Sequence, residues 1–328
     1  MTLNPENQPI NDPKISVVTC AYTMDRFDDT LQAVESALNQ TVPPHEVIVS
    51  IDRNEELFTN LQRTVTAQYV SQNRNSSVKV ILNKGDQGVS ETRSLGIREA
   101  EGNLVACIDD DAVAEQNWLE EMVRALNSSN ASVVGGKCIL SWPNGNRPVW
   151  FAEELDWVVG GTYKGMPTNG NVVRNVATCS MIAPKSVYEQ AGFFSKEIGA
   201  IEGGRRGGEE AEFCLRVKER IPGKDIVYEP NAVVHHKVHA FRVSLKYLIR
   251  RSYDEGYSKA IMQRFIKSRG QLSTENSYLR YLLFKSIPDR IKRLHKKESI
   301  IQLGAITIST IATITGYAFG KLERSKGI

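Results

Sequence analysis

The chain has 328 residues, enough for one large α/β domain with extra elements or for two modest domains. Hydrophobic residues make up 41% and charged residues 24%, as in a soluble globular core, and a net charge of +3 is too small for a general nucleic-acid binder. The five cysteines (Cys20, Cys107, Cys138, Cys179 and Cys214) form no CxxC pair, which argues against zinc and for buried free thiols in a reducing compartment.

Residues 1–13 are polar, lack an apolar stretch, and read as a loose tail rather than a secretory signal. From Ile15 onward, apolar β-branched runs alternate with stretches of helical spacing. Strands are expected at Ile15–Cys20, Glu46–Ile51, Val78–Leu82 and Leu104–Ile108. Helices are expected at Asp28–Asn39, capped by Asp28 or Asp29, and at Leu57–Gln72, Ser90–Ala100 and Trp118–Leu126. Short links between them imply a mostly parallel sheet flanked by helices. The second half is less regular. Val133–Leu140 and Ile226–Val234 read as strands and Val172–Ala183 as a further apolar run. Asn144–Gly170 reads as a long loop, and Phe193–Gly208 as a Gly- and Arg-rich one. A helix is expected from Glu209 to Arg220, then basic helices over Phe241–Lys267 and Tyr278–Lys297.

Ligands of such sheets sit beyond the carboxyl ends of the strands, so the residues there carry the chemistry. Asp109, Asp110 and Asp111 follow a buried strand directly. Three adjacent carboxylates repel one another, and a hard divalent cation such as Mn2+ or Mg2+ relieves that cost; alternatively one caps the next helix and the others are solvated. Asp52 closes the second strand, where it can accept from a nucleotide base or serve as a turn residue. Arg93 can pair with Asp109 or reach a nucleotide. Tyr22 can pack on a flat base or on its own loop. Trp142, Trp150 and Trp157 flank the long loop and can stack on sugars or pack in the core.

The blocks SVVTCAYTMDRFDDTLQAVESALNQT, HEVIVSID, NKGDQGVSETRSLGIREAEGNLVACIDDDA and GGEEAEFCLRV, in this order, resemble the family 2 glycosyltransferases of the GT-A fold, from about Ile15 to Lys237. The first block departs from the usual Pro-Thr-Tyr-Asn form, so only Tyr22 carries over. The resemblance implies a Rossmann-like sheet and a UDP-sugar donor. It implies that Asp52 holds the base, Asp109 touches the nucleotide, Asp111 faces the metal, and Asp110 fills a variable nucleotide-side position. It also makes Glu210 the general base that takes the acceptor hydroxyl's proton, with Glu209 its rival, and His236 a metal ligand or diphosphate contact. Arg205 and Arg206, between glycines, would grip a phosphate or a sugar carboxylate.

Ile300–Gly320 carries no charge and is about long enough to cross a bilayer. Basic residues flank it, as they do segments that attract anionic lipids. The expected layout is a catalytic domain over 14–240, basic and partly amphipathic helices over 241–298, and a spanning or interfacial helix over 299–328. The catalytic part would lie on the cytoplasmic side of the cell membrane. Together with VYEPNAVVHHKV and RRSYDEGYSKA, this layout is similar to archaeal-type members of the family that add glucuronic acid to a sugar on dolichyl phosphate. The acceptor would then be a lipid-linked sugar, with Arg242–Arg251 facing its phosphate. The alternatives are another glycan acceptor, or a non-catalytic membrane scaffold that binds nucleotide-sugar. The oligomeric state stays open.

Overall fold

The computed structural model describes residues 13–69, 76–166, 168, 171–196, 207–265 and 272–324. Its first half is a regular alternation: β1 (Ile15–Ala21), α1 (Phe27–Leu38), β2 (Glu46–Asp52), α2 (Glu55–Tyr69), β3 (Ser77–Asn83), α3 (Val89–Glu99) and β4 (Leu104–Ile108). These strands pair in parallel in the order β3-β2-β1-β4. β1, β4 and all of β2 but its last residue are almost wholly buried, which is why they read as continuous apolar runs. The helix expected to start at Asp28 starts one residue earlier. A 3-10 turn, Met24–Arg26, feeds it, so Asp28 and Asp29 lie in its first turn rather than at the cap.

The chain continues through β5 (Ala112–Ala114), α4 (Trp118–Ser128), β6 (Ala131–Ser141), β7 (Val172–Val173), β8 (Ser180–Pro184), α5 (Lys185–Ala191), α6 (Glu209–Arg220) and β9 (Asp225–Lys237). β8 joins the sheet antiparallel to β4, and β6, β9 and β5 follow it in that order. α1, α2 and α4 cover one face through Val34, Leu57, Leu61 and Trp118. α3, α5 and α6 cover the other through Ile97, Tyr188, Phe213 and Val217. The sheet is therefore mixed but mostly parallel, and helices shield both faces, as the alternation implies.

The C-terminal part forms α7 (Leu245–Phe265), α8 (Ser273–Tyr281), α9 (Ile287–Ile291) and α10 (Lys297–Arg324). The basic helix expected over Tyr278–Lys297 is broken. Leu282–Ser286 widens into a π turn just ahead of Pro288, whose ring nitrogen cannot donate to the preceding turn. α10 is long and apolar enough to cross a membrane, by length and composition. It also packs along α7 with backbones nearly touching: a β-carbon on Gly256 would lie 1.9 Å from the Thr313 carbonyl oxygen, and one on Gly316 2.0 Å from that of Tyr253. A hydrophobic cluster of Phe151, Leu155, Val238, Leu248, Leu282 and Ile306 ties these helices to the sheet domain across position 240.

Candidate active site

The site begins where β4 ends. Asp109 leaves the strand, and Asp110 and Asp111 turn the chain into β5. β5 pairs antiparallel with β9, setting Ala112 opposite His236, and the Lys237 amide donates to the Asp111 carbonyl at 2.8 Å. This pairing carries His236 across 125 residues of sequence to Asp111, with its Nε2 3.0 Å from Oδ1. One ligand atom from each of Asp109, Asp111 and His236 lies within 4.8 Å of the others. Gly160 backs the imidazole with φ 88°, and a β-carbon there would sit 2.4 Å from His236 Cε1. Two carboxylates and an imidazole nitrogen, His236 Nε2, suit Mn2+ or Mg2+, so the residues fit a resident cation.

Asp111 is buried and crowded by side-chain nitrogens. His239 Nε2 lies 3.1 Å from its Oδ2, Arg26 Nη1 3.2 Å and Arg242 Nη2 3.6 Å. Burial pushes the Asp111 carboxyl upward, but His236, His239 and Arg26 outweigh it and hold the group well below the usual range. Burial in turn opposes protonation of His236, yet Asp111 lifts it to about 9. Arg26 and His239 are functional candidates that motif reading missed. Arg26 lies within the first quoted block, and Arg242 was expected to face an acceptor phosphate. Asp110, expected on the nucleotide side, is buried and accepts from Arg26 Nη1 at 2.7 Å, so in this structure it is a structural partner of that arginine while still edging the cavity.

A cavity of about 260 Å³ collects Tyr22, Arg93, Asp109, Asp110, Asp111, Glu209, Glu210 and His236. Arg93 is buried and bridges two of these carboxylates, with Nη2 3.2 Å from Asp109 Oδ1 and Nη1 3.7 Å from Glu209 Oε1. Tyr22 is exposed at the rim, with the Arg26 guanidinium 5.3 Å from its ring centre. Glu209 and Glu210 open α6 directly after Gly208, which adopts φ 109°. Burial, and then the charge of Glu210, push Glu209 up to about 7. Glu210 is less buried and borders both this cavity and a second one behind it. Asp52 stands apart: its Oδ2 accepts from the Gly88 amide at 3.0 Å and its Oδ1 from Asn83 Nδ2 at 3.4 Å, which fastens the loop leading into α3. Arg205 and Arg206 lie outside the described residues.

Residues 16–191 match the family described as Glycosyl transferase family 2. A glucosyl-dolichyl phosphate glucuronosyltransferase of Haloferax volcanii is 32% identical over 313 residues, spanning 94% of this chain and 96% of that protein. Glycosyltransferase AglE of the same organism is 24% identical over 194 residues, spanning 58% of this chain and 59% of that protein. A solved mannosyltransferase from Pyrobaculum calidifontis, in complex with GDP-Man and Mn2+, superposes with a TM-score of 0.58 over 98% of this chain and 89% of its own. At 15% identity that likeness carries the fold alone. The family match, the full-length relative and the mixed sheet with its acidic strand end agree: the chain belongs to the family 2 glycosyltransferases and is a glycosyltransferase of the GT-A fold.

Proposed function

We propose that this enzyme transfers a sugar from a UDP-sugar to a lipid-linked sugar with inversion at the anomeric carbon, and that the sugar is glucuronic acid. The observation that carries the reading is the position of Glu210, on the wall shared by the carboxylate-lined cavity and the second cavity behind it. A base so placed stands between a donor in one and an acceptor in the other. Glu210 takes the proton of the acceptor hydroxyl as its oxygen attacks C1 of the donor sugar. The bond from C1 to the diphosphate oxygen breaks on the opposite face, and UDP leaves with the bonding pair. Asp109, Asp111 and His236 would hold Mn2+ or Mg2+, which supplies charge neutralisation for the diphosphate. Arg26 and Arg242 lie on the same side and hold further positive charge for it, and His239 adds a nitrogen there. Tyr22 and Asp52 would flank the base, and Arg93 keeps Asp109 and Glu209 in register.

Glucuronic acid is favoured by the full-length relative and, in the sequence, by the Arg205–Arg206 pair, a residue type suited to a carboxylate. We further propose membrane docking through the C-terminal helices, with the catalytic domain on the cytoplasmic side; outward-facing Ile300, Ile301, Ile308, Ile311, Phe319 and Leu322 on α10 support the docking. Lys292, Arg293, Lys296 and Lys297 precede or open that helix and suit an anionic surface. The test is transfer by the purified enzyme from a panel of UDP-sugars to glucosyl polyprenyl phosphate. Mn2+-dependent transfer of glucuronic acid, abolished by EDTA, is expected. Binding of UDP-sugar with no transfer of any sugar would leave the scaffold reading in its place.

A further inference from the structure

The second cavity, about 260 Å³, lies between the sheet domain and the C-terminal helices. Glu210, Arg251 and Ala177 are common to its wall and to that of the donor-side cavity. A chain of alternating charge runs along it. Arg251, Glu255 and Lys259 recur every fourth residue on α7, with Arg251 Nη1 3.0 Å and Lys259 Nζ 3.1 Å from the Glu255 carboxylate. Lys259 Nζ also lies 3.2 Å from Glu275 on α8, and Glu275 pairs in turn with Arg174. With Glu210 the wall holds, among the described residues, three cations and three carboxylates, so their charges balance. Such a surface offers donors and acceptors to hydroxyl groups and carries no surplus of cations for a phosphate or uronate. Trp157, Tyr163 and Tyr278 add aromatic surface, the last two in edge contact at 5.2 Å between ring centres.

α10 forms a further part of the wall, through Ser309, Thr310, Thr313 and Ile314. Ile314 and, on α8, Leu279 are also exposed to the outside, at 58% and 36%, so the rim is apolar where α10 and α8 turn outward. We propose that this cavity is the acceptor site, that it takes the neutral pyranose of a lipid-linked sugar, and that α10 is one of its walls as well as a membrane contact. This rests on the transfer reading above. The hydroxylated head of the acceptor sits against the charge chain with one hydroxyl at Glu210; its phosphate stays outside the charge-balanced wall, at the solvent-facing rim, and its lipid leaves over Ile314 and Leu279. The glycine contacts that fix α10 to α7 therefore also fix the shape of the acceptor site.

The experiment uses the full chain in phosphatidylglycerol vesicles with Mn2+, UDP-glucuronate, and either glucosyl or glucuronosyl polyprenyl phosphate as acceptor probe. Thr310→Phe fills the cavity from α10, far along the chain from the donor-side residues. The expected result is a UDP affinity within about twofold of wild type and an acceptor kcat/KM at least tenfold lower, with the glucosyl probe preferred at least tenfold by the wild type. Should Thr310→Phe lose UDP binding through misfolding, Leu279→Trp at the exposed rim is measured in its place against the same expectation. An acceptor kcat/KM within twofold of wild type in the variant overturns the site while leaving the transfer reading intact. Equal use of both probes by the wild type overturns the neutral pyranose. A wild-type enzyme that transfers to neither probe overturns both readings.

Discussion

Glu154 is the buried anchor of the C-terminal helices, and Arg290 is what makes its burial tolerable. The Glu154 side chain is 1% exposed. Its Oε2 accepts from Arg290 Nη2 at 2.7 Å, and its Oε1 from Arg290 Nη1 at 2.9 Å and Ser286 Oγ at 2.8 Å. Burial pushes this carboxyl upward, but Arg290 and Ser286 outweigh it and keep it below the usual range. Arg290→Met removes two of the three hydrogen bonds and strands the carboxylate, which should cost about 3–5 kcal/mol. Because Tyr278 also donates to the Glu154 carbonyl at 2.6 Å, the loss should open the 278–291 region first. Glu154→Gln in the Arg290→Met background keeps a bond to Ser286 without a stranded charge and should recover at least half of the loss. The assay is urea denaturation at pH 7.5, with amide exchange across α8 and α9 as the local readout. A loss below about 1 kcal/mol, or a double variant no more stable than Arg290→Met, would refute the reasoning.

Glu210→Gln should lower kcat by about 10²–10⁴-fold with UDP affinity unchanged, whereas Glu209→Gln should retain far more turnover; steady-state kinetics on both variants decide between the two acids. Glu255 is forced upward by burial, yet Lys259 and Arg251 hold it at about 2, and Lys259 and Arg174 likewise hold Glu275 low against its burial. A depressed carboxyl contributes stability that is full above its unfolded pKa of about 4.5 and lost as pH falls toward the folded value. Acid titration by circular dichroism should therefore show unfolding between about pH 4.5 and 2, with a shallower slope in Glu255→Gln. Gly316→Val should separate α10 from α7, because its β-carbon would meet the Tyr253 carbonyl; limited proteolysis should then cut α10, and a protected helix would refute the close contact.

The sheet was legible because its strands are buried on both faces and its links are short. Asp52 and Asp109 could be located from the apolar runs EVIVSI and LVACI alone. β5 was missed because three residues after three aspartates show no periodicity, and α5 because seven residues are too few to show one. That short strand nonetheless decides the site: its pairing with β9 brings His236, and behind it His239 and Arg242, onto Asp111. A pairing across more than a hundred residues leaves no local trace. The pairing of Arg26 with Asp110 was hidden in the same way, since it joins two strand-end loops. The breaks in the basic helices around 282–288 were marked by Pro288, but the charge chain along α7 was masked by an overall basic composition.

The proposed reaction is a single displacement in which Glu210 activates the acceptor. It is tested most directly by the anomeric configuration of the product made from an α-linked UDP-sugar, read by the C1 proton coupling in nuclear magnetic resonance. A single displacement gives a β-linked product from the wild type and almost none from Glu210→Gln. An α-linked product, or one formed at the wild-type rate without Glu210, would contradict it.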